Sequence, residues 1–97
     1  MCTYATVKTE LVGSAKGAGG AGGAGGPGSK WFSVTVGTVY FDHPVHAMAD
    51  HTLNIDFSNP SLGPGARVAV ELTAGSAREL VNAIEAALAS APEALKV

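Results

Sequence analysis

Residues 51–57 read HTLNIDF, and this stretch carries the clearest strand pattern of the chain. Leu53, Ile55 and Phe57 fall on one face of an extended backbone, and three polar residues alternate with them on the opposite face: Thr52, Asn54 and Asp56. Such alternation is typical of a half-buried strand. Asn, Pro and Gly residues then break the pattern as a turn, and residues 67–73 repeat the alternation. The sequence therefore predicts two consecutive strands here.

Two further strands are predicted upstream. Residues 2–12 and 30–43 are rich in Val, Thr and aromatic residues, which favour extended structure. A Gly-rich segment at residues 17–29 separates them and holds eight of the 13 glycines of the chain. A phosphate-binding Gly-rich loop leads into a helix, whereas a strand follows this one. We therefore interpret residues 17–29 as a flexible hairpin connection.

The last part of the chain changes to a helical period. Its apolar residues recur at spacings of three and four: Leu80, Val81, Ile84, Ala87 and Leu88. Ser76 and Glu79 fit a capping box at the start of the helix, and Pro92 marks its end. The sequence thus predicts an α+β fold in one domain of residues 1–97: a four-stranded antiparallel β-meander with one C-terminal α-helix packed on one face.

Composition and charge exclude several classes of protein. A hydrophobic share of 46% with 14% charged residues excludes a wholly disordered chain. The net charge is −2, and the six basic residues are scattered, so we expect no nucleic-acid partner. No apolar run is long enough for a signal peptide or a membrane span, so we expect no membrane association. With Cys2 as the one cysteine, the predicted location is the cytoplasm.

The apolar residues also predict a homodimer. One helix covers only part of one face of a four-stranded sheet, while the second strand carries large apolar residues at both parities. A domain of this size has little core of its own. We therefore expect two copies to pair sheet to sheet.

All three histidines lie within nine positions, in the segment DHPVHAMADH at residues 42–51. His is the commonest metal ligand in proteins and the usual acid–base group near neutral pH. This segment is therefore the candidate for chemistry.

Strand pairing predicts what else lies near the histidines. If the first two strands pair so that Lys16 meets Lys30, counting outwards brings Cys2 next to Pro44. The third strand opens with His51 at the same end of the sheet. Four side chains that can bind a metal then converge on one site: Cys2, His43, His46 and His51.

The first interpretation is a transition-metal site, because one thiolate and two or three imidazoles suit Zn, Cu or Fe. His43 and His46 share an ion only if Pro44 turns the chain, which Pro favours. Asp42 and Asp50 would supply a fourth ligand or orient an imidazole by a hydrogen bond. A site with an open coordination position would also allow metal-dependent catalysis.

Two other interpretations stay open. In one, Cys2 is a nucleophile activated by a histidine that an aspartate orients. In the other, the histidines are solvated loop residues and Cys2 is a small buried apolar residue. From the first interpretation we predict a small cytoplasmic metal-binding protein with a Cys/His site at one end of the sheet. The alternative function is that of a non-catalytic homodimeric interaction or accessory protein.

Three segments resemble a family of small uncharacterised actinobacterial proteins: MCTYATVKTE, VYFDHPVHAMADHTLNIDF and RVAVELTAGSARELVNAI. The resemblance covers most of the chain apart from the Gly-rich segment. It implies a bacterial, cytoplasmic setting, and it assigns no functional residue.

Overall fold

A computed structural model describes residues 4–17 and 30–96. Its strands and helix follow one another along the chain as β1 (Thr6–Lys16), β2 (Trp31–Asp42), β3 (Thr52–Ser58), β4 (Arg67–Leu72) and α1 (Ala74–Ser90). Short 3₁₀ turns lie at Pro60–Leu62 and Glu93–Leu95. The strands form one antiparallel sheet in the order β1-β2-β3-β4, and α1 packs against it. The predicted α+β meander with a C-terminal helix is confirmed.

The β1–β2 hairpin contains a bulge. Near the Gly-rich connection Lys16 pairs with Trp31, one residue away from the predicted partner. The register shifts between Glu10 and Gly13, and beyond this bulge Thr6 pairs with Tyr40. This outer register is the predicted one, because an extra residue in β1 at the bulge cancels the offset at the turn. Residues 18–29 of the predicted connection lie outside the described residues.

The two faces of the sheet differ in polarity at the end that carries the β2–β3 loop. Paired residues share a face, and the face towards α1 is apolar: Val39, Phe41, Leu53, Ile55, Val70 and Leu72. The opposite face carries Thr52 and Asn54, which are 0% and 5% exposed, and the Thr52 hydroxyl donates to Asn54 Oδ1 over 2.7 Å. These polar residues of β3 are therefore buried, which the alternation alone did not indicate.

The apolar core lies at the opposite end of the sheet, near the Gly-rich connection. Among the described residues, Phe32, Val34 and Ala66 are the buried apolar side chains. Four partly buried side chains pack against them: Leu11, Ala15, Phe57 and Val68. The end of the sheet that carries the histidines thus has no fully buried apolar residue in the described part of the chain.

Helix α1 begins earlier than predicted. Its N-cap is Thr73, whose hydroxyl accepts a hydrogen bond from the Ser76 N–H at 3.1 Å. The predicted capping box at Ser76 and Glu79 is therefore wrong, because the end of β4 already supplies an extended capping residue.

The apolar stripe of α1 is only partly covered by the sheet. Leu80, Val81, Ile84 and Leu88 are 41–54% exposed, and no residue of the helix is fully buried. An apolar groove of about 370 Å³ runs between the helix and β2 and β3. Neither α1 nor any other helix in the described ranges has the length and apolar character needed to cross a bilayer.

Candidate metal site

The β2–β3 pairing brings two histidines together. Asp42 and Thr52 form the last residue pair between the strands, so His43 and His51 stand directly beyond it. The centroids of the two imidazole rings are 4.3 Å apart, and their planes are tilted by 34°. The strand register therefore places both rings side by side at the base of the loop formed by residues 43–51.

Asp50 binds both rings through different oxygens. His43 Nδ1 lies 3.0 Å from the Asp50 backbone oxygen, and His51 Nδ1 lies 2.8 Å from Asp50 Oδ2. A carbonyl and a carboxylate oxygen only accept hydrogen bonds, so each Nδ1 is the donor. In the neutral rings the free lone pairs are therefore on Nε2 of His43 and Nε2 of His51.

His51 sits on an aromatic surface. Its ring stacks on Phe41, with centroids 5.6 Å apart and an angle of 14°, and the Tyr4 ring approaches edge-on at 6.2 Å. Its Nε2 atom is buried and has no hydrogen-bond partner among the described residues. A buried polar atom without a partner is costly, and this cost makes the nitrogen a candidate ligand atom.

Three of the predicted residues form a compact group. His43, Asp50 and His51 each offer a ligand atom, and these atoms all lie within 4.8 Å of one another. His43 and Asp50 are exposed, whereas His51 is partly buried. The group is therefore open to solvent on one side and backed by aromatic rings on the other.

Of the remaining predicted residues, two lie near this group and one lies outside the residues that the structure describes. Asp42 Oδ1 accepts from the His43 backbone N–H at 2.7 Å, which fixes the start of the loop. His46 lies outside the three-residue group and, with His43, lines a polar cavity of about 690 Å³ on the sheet face opposite α1. Cys2 lies outside the described residues.

Glu71 is a residue next to the candidate site that the sequence analysis did not single out. It faces the loop from β4, and its carboxylate accepts hydrogen bonds from three backbone N–H groups, those of Val45 at 2.6 Å, His46 at 3.0 Å and Ala47 at 2.8 Å. The Val45 and Ala47 amides, followed by that of His46, hold the pKa of Glu71 below its ordinary value of 4.5. Alternation places Glu71 on the polar face of β4, but no sequence signal shows which loop it meets.

The group of His43, Asp50 and His51 could hold a metal ion. Imidazole suits Zn, Cu and Fe, and a metal-bound His normally donates its other ring N–H to a carboxylate or a carbonyl, as His43 and His51 do here. The exposed side of the group leaves room for further ligands or water.

Comparison with known proteins yields a family and no closer relative. No curated protein and no solved structure matches the chain. The profile of one family matches residues 1–97, in agreement with the resemblance to uncharacterised proteins seen in the sequence. The chain therefore belongs to DUF6295, a family of unknown function.

Proposed function

We propose that this is a small metal-binding protein whose transition-metal ion, Zn, Cu or Fe, is held by Nε2 of His43 and Nε2 of His51. The observation that carries the proposal is the double use of Asp50. It binds Nδ1 of both rings, whose centroids are 4.3 Å apart, and so leaves the Nε2 lone pair of each ring free. Two hydrogen bonds from one residue orient both ligands before a metal arrives.

The environment of His51 supports the same proposal. Its ring is fixed between Phe41 and the Asp50 carboxylate, and its buried Nε2 lacks a partner in the described part of the chain. Immobilised imidazoles lose little freedom on metal binding, so the entropy cost of forming the site is reduced. His43, on the exposed side, would give the ion its access to solvent.

We propose Cys2 as a third ligand. The support is the sequence argument alone, in which equal steps outwards from the Gly-rich connection predict that Cys2 lies next to Pro44. One thiolate with two imidazoles is a familiar ligand set for Zn and Cu. The proposed setting is the cytoplasm, where a single thiol stays reduced and can bind a metal.

His46 is the proposed fourth ligand, since it shares a loop and a cavity wall with His43. If His46 stays away from the ion, the open position would admit water or a substrate, as in a metal-dependent enzyme. Asp42 and Asp50 are proposed to orient the ligands by hydrogen bonds.

Metal titration tests the proposal. The metal-free protein is titrated with Zn²⁺ in competition with a chelating indicator. We expect one ion per chain and a loss of affinity of about 100-fold or more in His43→Ala and in His51→Ala, since even outer-shell changes cost about 10–100-fold. The exposed helix variant Glu85→Gln is the control and should bind like the wild type. Equal affinity in the wild type and both histidine variants, or no binding by the wild type, contradicts the proposal.

The other two ligands need their own readouts. With Co²⁺ as the probe ion, a thiolate-to-metal charge-transfer band is expected in the wild type and should vanish in Cys2→Ser. His46→Ala should lower the Zn²⁺ affinity by about 100-fold or more, as expected for the other ligands. Absence of this band from the wild type would remove Cys2 from the site, and an unchanged affinity in His46→Ala would remove His46.

The second candidate function is that of a homodimeric interaction protein, and the exposed stripe of α1 favours it. A 17-residue helix without a buried residue has little support from its own sheet. A second copy of the chain could cover the exposed stripe of α1, since it is always present in equal amount. Homo-oligomers with two-fold symmetry are also the commonest kind. We place the contact on the α1 side of the sheet, because the opposite face is polar around Asn54 and Asp56 and the loop lies over it.

Light scattering coupled to size-exclusion chromatography at micromolar concentration tests the dimer. We expect a mass near twice that of the chain. Ile84→Asp places a charge in the apolar stripe and should give a monomer, whereas Asn82→Asp adds the same charge off the stripe and should leave the dimer intact. A monomeric wild type contradicts this second candidate.

A further inference from the structure

Hydrogen bonds from its backbone N–H groups, and not buried side chains of its own, hold the loop of residues 43–51 in place. Val45 and Met48 are 96% and 100% exposed, so they contribute little apolar burial to the loop. What fixes its middle is the Glu71 carboxylate, which reaches from β4 to three consecutive N–H groups at 2.6–3.0 Å. Hydrogen bonds to an ionised acceptor are about twice as strong as neutral ones.

Three successive N–H groups that converge on one anion form a backbone nest, a geometry that binds carboxylates and phosphates. Here the nest of Val45, His46 and Ala47 is occupied by the protein's own Glu71. The base of the loop is closed separately, by the bond between the His43 ring and the Asp50 carbonyl. The loop is therefore fixed at two points, and His43 lies at one of them.

We propose that residues 45–47 form a carboxylate-binding nest, and that Glu71, as its occupant, is the positioning residue for His43 beside His51. The second part rests on the proposed metal site. With the loop anchored to β4, few alternative backbone conformations are open to it, and the His43 ring stays within reach of Asp50 and His51. Without the anchor, the loop gains conformational freedom, which must be lost again when a metal binds.

Amide hydrogen exchange, measured by NMR on the metal-free full chain, tests the nest itself. In Glu71→Ala the amides of residues 45–47 should exchange at least about tenfold faster than in the wild type, because each loses a charge-assisted bond. Sodium acetate should slow this exchange again, since a free carboxylate can enter the empty nest, while sodium chloride at equal ionic strength should not. Glu71→Gln keeps the side-chain shape and should also exchange faster, and Glu85→Gln is the control for loss of one negative charge.

Equal exchange of the three amides in the wild type and both Glu71 variants overturns the nest, as does exchange that responds to chloride and acetate alike. For the positioning role, Zn²⁺ affinity should fall about tenfold in Glu71→Gln, and the nuclear Overhauser contact between the His43 and His51 rings should weaken. Faster exchange with an unchanged ring contact overturns the positioning role. A wild type that binds no Zn²⁺ but keeps its slow exchange would count against the metal site and leave the nest intact.

Discussion

Asp50→Ala should remove one of the two hydrogen bonds that orient the imidazole rings of the candidate site and keep the other. Any residue at position 50 keeps a backbone carbonyl, so the bond to His43 Nδ1 survives the substitution. The carboxylate bond to His51 Nδ1 is lost. The variant therefore releases one ring and leaves the other oriented.

The expected loss follows from this division. Removing the outer hydrogen-bond partner of a metal-bound His costs about 10–100-fold in affinity. The Asp50 side chain is 88% exposed, so water can replace part of its bond, and only one of the two rings loses its partner. We expect the lower end of the range, about tenfold or about 1.4 kcal/mol. Asp50→Asn keeps an accepting oxygen and should lose less.

The Zn²⁺ competition titration measures the affinity of both variants. Affinity equal to that of the wild type in Asp50→Ala would refute the reasoning that Asp50 orients His51. A loss of affinity as large as that of His51→Ala would also refute this reasoning, since Asp50 would then itself be a metal ligand.

Three further predictions concern the fold. In Gly37→Ala the new Cβ would lie 2.7 Å from Leu11 Cδ1, a side-chain end that can move, so we expect a loss of about 1 kcal/mol in urea unfolding, the low end of the range for overpacking. The same substitution made in a Leu11→Ala background should cost less, and an equal loss in both backgrounds would contradict the close approach. Val34→Ala removes two methyl groups from a side chain that is 5% exposed and should cost about 2 kcal/mol, seen as a lower Tm. Thr73→Ala removes the α1 cap and should lower the free energy of unfolding by about 1 kcal/mol, whereas the same change at Ser76 should have less effect.

The hairpin shows what counting along the sequence can and cannot predict. The pairing of Thr6 with Tyr40 follows from equal steps outwards from the Gly-rich connection, but the steps are not equal. Lys16 pairs one residue away from its predicted partner, and the bulge after Glu10 shifts the register back. A bulge leaves no reliable mark in a run of Val, Leu and Gly, because it depends on packing between strands. The correct outer register therefore resulted from two compensating deviations.

The candidate site was predictable where it depends on strand pairing. His43 and His51 flank the paired ends of β2 and β3, so their proximity follows once these strands are recognised. Asp50 was expected near the histidines, but its double use of a carbonyl and a carboxylate depends on the exact path of the loop. Glu71 could not be found, because its contacts are to backbone groups, which every sequence contains.

The start of α1 was misplaced for a similar reason. Ser76 and Glu79 match a capping box in the sequence, yet the helix begins at Ala74. Ala74 and Gly75 carry no apolar pattern, so the spacing of apolar residues does not reveal the first turn of the helix. Thr73 caps it because β4 ends there in an extended conformation.

Glu71 holds the loop of residues 43–51 through main-chain amides, so the path of the loop does not depend on which side chains it carries at these positions. Every residue except proline carries the N–H that Glu71 binds, so positions 45–47 can be substituted while the loop keeps its course. Side chains placed there would face the polar cavity next to His43. The protein thus holds a short segment on a fixed support, and a library of variants at Val45 and Ala47, which keeps the proposed ligand His46, could change what the cavity binds while leaving the support in place.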